Sequence, residues 1–407
     1  ADADTLVGEA GLDRLVGGDL RRGAPIRSEV PLAWRTLTAD PRRLARAAAG
    51  IAFAILLVLV QLAVQTAFID SALEVIRRID GDLVMISSVK QRWTQVSPFP
   101  AERLAQALAM PGVRQVAPLY QELRQGVWKN PFDHSTSMIQ VLAVDPDKPV
   151  FDLPDITAGL ASLKEPGTVL VDMRSRGFLG PGMAGMETEL NGRAVRIIGS
   201  FPLGPDFIVN GTVLMSDRSY KTLFPAAAAH RDRVEVGVVR LAQGADPAVE
   251  AQRLRAALPS DVRILTRQQF VDLEARFQAE TTSVGPIFTM GVVFGFIVGM
   301  LISYQVLFSE LSDQLAQYAT LKAMGYDNRT LLGVVLRQSV FYAIAGFVPA
   351  LLLSLVLART LAEVTLLPMR VSIGMAVLAL ALALAMCLLA GLLAVRRIMA
   401  ADPAEVF

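Results

Sequence analysis

The stretch 286-PIFTMGVVFGFIVGMLISYQVLF-308 contains no Asp, Glu, Lys or Arg. Its length and composition meet the requirement for a helix that crosses a bilayer, roughly 20 consecutive apolar residues. Three further runs match it: Ala47–Phe68, Leu331–Leu357 and Val371–Val395, with Arg337 in the third as the exception to their apolar character. With 53% hydrophobic residues in 407, these runs are too long to be core helices of an ordinary soluble domain. The predicted fold class is a polytopic α-helical membrane protein with four transmembrane helices. A large α+β domain is inserted between helices 1 and 2.

The boundaries follow. Residues 1–30 form a polar tail without an apolar signal-peptide core, and 31–69 hold a juxtamembrane segment and the first span. Residues 70–283 are the inserted domain, 284–308 the second span, 309–330 a short polar helix and 331–357 the third span. A loop at 358–370, the fourth span at 371–395 and a tail at 396–407 complete the chain. Arg35, Arg42, Arg43 and Arg46 precede the first span, and Arg396 and Arg397 follow the last. Basic flanks stay on the cytoplasmic side, which places both termini inside and the inserted domain outside. Trp34 and its neighbouring arginines fit either a headgroup-level helix or a plain linker.

The inserted domain reads as folded. The segments 70-DSALEVIRRIDGDLVMIS and 99-FPAERLAQALAMPGVRQVAPLY each read as helix, turn, strand. The segment 234-VEVGVVRLAQGADPAVEAQRLRAALPSDVRILT reads as strand, helix, strand, with Asp246 and Pro247 as N-cap and first helical residue. Asn191-Gly192 between alternating runs signals a hairpin, and about 130–225 reads as a β-rich lobe. Thr266 with Gln269 forms a capping box at the head of a polar helix that leads into the second span.

Recognisable catalytic chemistry is absent from the sequence. There is no G-x-x-x-x-G-K-[ST], H-E-x-x-H, C-x-x-C or G-x-S-x-G, and there are only two histidines and one cysteine, Cys387. The chain is expected to be no enzyme and to hold no cofactor or metal of its own. A net charge of +1 gives no field for nucleic acid. Asp145 and Asp147 in 143-AVDPDKP read as a Pro-bearing turn rather than as metal ligands.

What remains is mechanical. Gly291, Gly295 and Gly299 fall four apart on one helix face. Such a face admits close backbone packing, either within the chain or between two copies. Leu311, Leu315, Tyr318, Leu321 and Lys322 recur at helical steps, Met324 adjoins them, and Gly325 supplies a helix stop before Tyr326. This helix either lies on the membrane surface or seats its apolar knobs in a partner's groove. Arg337 and Gln338 form a polar pair in the third span, where an arginine can snorkel to the headgroups.

The order of one span, a large external domain and three more spans resembles the FtsX-like permeases of MacB-type ABC transporters. The segments 317-QYATLKAMGYDNRTLLGVV, 291-GVVFGFIVG, 148-KPVFDLP and 402-DPAEVF look closer still to the DevC branch, associated with heterocyst glycolipid export. The resemblance spans about residues 30–407. It implies a bacterial inner-membrane permease with a periplasmic domain, working as a homodimer with a separate ATPase that binds ATP and Mg. A periplasmic adaptor (a membrane fusion protein) and a TolC-type outer-membrane channel would complete the assembly. On this resemblance Leu315, Tyr318, Leu321, Lys322, Met324, Gly325 and Tyr326 contact the ATPase, and a lipid-like cargo is exported by mechanotransmission. Relatives often carry Glu where Gln338 stands. The alternatives are a membrane-anchored sensor or scaffold, or a lipoprotein-releasing or cell-division permease of the same fold.

Overall fold

The computed structural model describes residues 41–123, 125–176, 183–224, 232–281, 284–313 and 328–400. In chain order, α1 (Pro41–Arg77) leads into β1 (Leu83–Ser87), β2 (Phe99–Pro100), α2 (Glu102–Leu108) and β3 (Val113–Glu122). Then come β4 (Val127–Lys129), β5 (Thr136–Met138), β6 (Gln140–Val144), α3 (Pro154–Gly159) and β7 (Thr168–Asp172). Next are β8 (Glu187–Leu190), β9 (Arg193–Phe201), β10 (Thr212–Ser216), α4 (Asp217–Leu223), β11 (Arg233–Val234) and β12 (Val236–Leu241). The remainder is α5 (Pro247–Ala257), β13 (Val262–Thr266), α6 (Arg267–Arg276), a π-turn at Phe277–Thr281, α7 (Val284–Asp313), α8 (Asn328–Thr365) and α9 (Ile373–Ala400).

The four apolar runs lie on α1, α7, α8 and α9, each long and apolar enough to cross a membrane. The α/β domain stands between the first of these helices and the other three. With 37 residues, α1 is about 55 Å long at 1.5 Å per residue. That exceeds the ~30 Å hydrocarbon layer, so its last turns project beyond it. Two boundaries differ from the sequence reading. Helix α7 continues through Asp313, so Glu310, assigned from the sequence to the short polar helix at 309–330, lies on the helix of the second span, and it is buried. Helix α8 continues to Thr365, which shortens the following connector to 366–372.

The domain is built on an eleven-stranded sheet in the order β13-β1-β12-β3-β6-β10-β7-β9-β8-β4-β5. The strands of the 130–225 segment continue the same hydrogen-bonded ladder as the strands near α1 and α6, so the β-rich part is no separate sheet. Pairing is antiparallel except for β6 with β10 and β7 with β9.

Successive residues of β1 serve opposite faces, as the strand period requires. Leu83 and Met85 pack with Leu104 of α2 and with Ala251 and Leu254 of α5. Val84 and Ile86 pack with Leu73 and Ile76 of α1 and Phe270 of α6. Both faces are covered, which is why β1 is apolar throughout instead of alternating. The hairpin between β8 and β9 turns at Asn191 (φ 53°) and Gly192 (φ 71°), both left-handed as a type I′ turn demands. Asp246 caps α5 through Ala248 N (2.8 Å), with Pro247 in the first turn.

Contacts divide the chain into two compact units. Among the described residues, one comprises 41–51, 300–313, 328–345 and 384–400; the other comprises those of 52–299 and 346–383, including the α/β domain.

Candidate force-transmitting site at the roots of the domain

The first root is the junction of α1 with the sheet. Its helix stops at Arg77, and residues 78–82 are then gripped from two sides. Asp80 N donates to Val150 O (2.7 Å), Asp152 N donates to Arg78 O (2.9 Å), and Ile79 bridges Phe151. From β12, Arg240 donates to the Asp80 carboxylate (2.5 Å) and carbonyl (3.0 Å), and Leu241 N donates to Asp82 (2.8 Å). Gly81 is required by this close approach, because a Cβ there would lie 2.4 Å from Val238 Cγ1. Val150, Phe151 and Leu153 are buried against this root.

The second root is α6. Thr266 and Gln269 close a reciprocal capping box at its head. Phe270 is fully buried in the sheet core, and its ring meets that of Trp93 at 6.3 Å, edge to face. One turn on, the buried carboxylate of Glu274 accepts from Trp93 N (2.5 Å) and from Gln278 Nε2 (2.7 Å). The π-turn follows directly, with Arg92 over the Phe277 ring at 5.4 Å.

The segment 88–98 joins this root to the sheet. Lys90 is fully buried, bonds the carbonyl of Gln95 and faces the Glu235 carboxylate at 3.6 Å. Glu235 also accepts from Ser97 N (3.1 Å). Gln121, with its amide oriented to satisfy its neighbours, binds both the carbonyl and the indole N–H of Trp93.

Electrostatics follow from this burial. Desolvation pushes the Lys90 ammonium below its ordinary range, partly offset by Glu235. Desolvation pushes Glu274 and Glu235 above the usual carboxylate range, offset for Glu274 by the Trp93 and Gln278 bonds and for Glu235 by Lys90. Such a satisfied polar network fixes one arrangement of the root, because every shift of α6 would strand a buried group.

The sequence reading missed this network. Its one local trace is Glu235 set among the valines of 234-VEVGVV.

Within the spans, the structure places Gly291 and Gly295 against α1 of the same chain. A Cβ on Gly291 would lie 2.5 Å from Gln61 Nε2, and one on Gly295 would lie 3.0 Å from Val58 Cγ2. Gly295 and Gly299 are buried and Gly291 is half-buried. In the other unit, Tyr342 donates to buried Glu310 (2.6 Å), and Ser303 meets Cys387 at 3.6 Å. Of Arg337 and Gln338, Arg337 is exposed and Gln338 is buried. Leu315, Tyr318, Leu321, Lys322, Met324, Gly325 and Tyr326 lie outside the described residues.

No group of metal-ligating residues occurs among the described residues. Asp145 accepts from Asp147 N (3.1 Å) and Lys148 N closes onto its carbonyl (2.9 Å), the geometry of a turn. An open cleft of about 440 Å³ beside the first root is lined by Asp80, Asp82, Arg114, Arg240 and Arg267, among others. It is polar and carries no catalytic constellation.

Residues 286–403 match the protein-family model described as FtsX-like permease C-terminal. The matched residues fall on the last three membrane helices, α7, α8 and α9. No curated protein matches the sequence. Among solved structures, the periplasmic region of MacB from Actinobacillus actinomycetemcomitans is 11% identical, with 48% of this chain and 94% of that one covered at a TM-score of 0.35. The extracellular domain of the noncanonic ABC-type transporter YknZ from Gram-positive bacteria is 14% identical, covering 46% and 99% at 0.31. A domain of a putative permease protein from Porphyromonas gingivalis is 20% identical, covering 45% and 87% at 0.31. At these scores the likenesses carry no functional statement.

Proposed function

We propose that the chain is the membrane subunit of an ABC-type exporter that transmits force from a separate ATPase to an extracytoplasmic domain. The observation that carries this reading is the FtsX-like permease match across α7, α8 and α9. The ATPase would grip the 315–326 segment, which joins α7 to α8, and the two rigid roots would carry the resulting shift of the spans into the sheet. Homodimer formation, a periplasmic adaptor, a TolC-type channel and a lipid-like cargo complete the proposal, along the DevC branch that the sequence resembles. The absence of a P-loop from the sequence agrees with ATP and Mg residing in the partner.

The test is hydrogen exchange on the reconstituted complex with its ATPase, with and without a non-hydrolysable ATP analogue. Altered protection at 78–82, the first root, and at 267–281, the second, is expected. Unchanged protection at both roots, with the nucleotide demonstrably bound, would refute force transmission along this route.

A further inference from the structure

The turn 203-LGPDFIV-209 is shaped by bonds from within the domain. Leu203 N and Gly204 N donate to the buried carboxylate of Asp172 (3.0 and 2.8 Å) at the end of β7. Asp206 Oδ1 accepts from Ile208 N (2.6 Å) and Val209 N (2.5 Å). Arg176 clamps the base through the Asp206 carbonyl (3.1 Å) and the Asn210 side chain (3.2 Å). None of these bonds involves the side chains of Phe207 and Ile208, which are 39% and 62% exposed at the tip.

The position of that tip is informative. The Phe207 ring meets the Phe68 ring edge-on at 5.2 Å, and Phe68 lies 6.4 Å from Phe288. Phe68 ends the first apolar run, and Phe288 stands near the start of the second. On another side, a Cβ built on Gly204 would lie 3.9 Å from the carbonyl of Leu366, in the α8–α9 connector, and 4.0 Å from the Arg174 guanidinium carbon. The tip therefore sits at the level where α1, α7 and the connector leave the apolar layer. The ring contacts from Phe207 through Phe68 to Phe288 lead from the tip to the outer face of α7, where the neighbouring Ile287 is 62% exposed. An aromatic ring, an aliphatic tip and an exposed arginine together match the chemistry of the interfacial zone.

We propose that the 203–209 turn is a lipid-inserted wedge, with Phe207 and Ile208 among the acyl chains of the leaflet on the domain's side and Arg174 at the phosphates. The leaflet is then a direct binding partner of the α/β domain, and any movement of the domain disturbs lipid at that point. The lipid is favoured over a protein partner because those ring contacts lead from the tip to the outer face of α7.

The experiment uses the full chain with Cys387→Ala and Ile208→Cys, labelled with an environment-sensitive fluorophore and reconstituted in phosphatidylcholine vesicles. Nitroxide carried at a shallow acyl-chain position is expected to quench the label several-fold more than aqueous iodide does. The same label at Val249→Cys, on α5, covering the opposite face of the sheet, is expected to show the reverse order. Iodide quenching at Ile208 equal to that at Val249, without lipid quenching, would overturn the wedge. Shielding from both quenchers would also overturn it, because a second copy or another protein would then cover the tip. Phe207→Trp with Trp34→Phe, read with brominated lipid against the Trp34→Phe chain alone, repeats the test without a label, since Trp93 and Trp128 are buried in the domain.

Discussion

The backbone N–H of Trp93 donates to the buried carboxylate of Glu274 at 2.5 Å, joining residues 181 positions apart in the chain. That bond ties the segment after β1 to the helix that becomes the second span. Glu274→Ala leaves a buried N–H unpaired, which costs about 1–3 kcal/mol. The expected outcome is a lower thermal midpoint of the detergent-solubilised chain, with Glu274→Gln much less damaging than Glu274→Ala.

Glu274 also sets a pH dependence. Burial is the leading cause of its raised pKa, against the bonds from Trp93 and Gln278 and the charges of Lys90 and Arg92. The folded chain then holds this proton at pH values where the unfolded chain has lost it. Its contribution to stability is full below the ordinary carboxylate value and falls as pH rises through the raised one. Thermal midpoints of wild type and Glu274→Gln should converge at low pH and separate across that interval, with the variant losing the slope.

Lys90→Met removes the cation facing Glu235 and leaves a buried carboxylate without its partner, at a cost of about 3–5 kcal/mol. Adding Glu235→Gln should restore most of the loss. A double variant as unstable as the single one would show that the pair is not the source of the effect.

Gly295→Leu would force α7 away from Val58 of α1, where even a Cβ meets Cγ2 at 3.0 Å. Overpacking of this kind costs about 1–3 kcal/mol. Reduced assembly and activity are expected, with partial rescue by Val58→Ala. Rescue would identify α1 as the occupant of this face, whereas failure of rescue with loss of dimer would point to a second copy.

Leu321→Asp combined with Met324→Asp should abolish binding of the ATPase while membrane insertion persists, as read by co-purification and membrane fractionation. Full-strength association would remove the 315–326 segment from the ATPase interface.

Local devices were readable because the residues that make them are neighbours. Asn191-Gly192, Asp246-Pro247 and Thr266 with Gln269 each specify their turn or cap within a few positions. The four spans were readable for a different reason, since bilayer thickness imposes a length on any apolar run. The buried network was not readable, because Lys90, Glu235 and Glu274 become partners only through the strand order. The parallel pairing of β6 with β10 and β7 with β9 is hidden in the same way. The second span was ended too early, at Phe308, because Glu310 interrupts the apolar run; in the fold Glu310 is buried and accepts a bond from Tyr342, a partner distant in sequence. For 315–326 the helical spacing is legible, but its partner is not written in this chain.

The most direct test of the central claim is purification of the intact chain in gentle detergent, with and without a non-hydrolysable ATP analogue, followed by mass spectrometry. The account predicts recovery of a separate ATP-binding subunit, strengthened by the analogue and lost in the Leu321→Asp, Met324→Asp variant. Recovery of the chain alone, or with a signalling partner that binds no ATP, would contradict it.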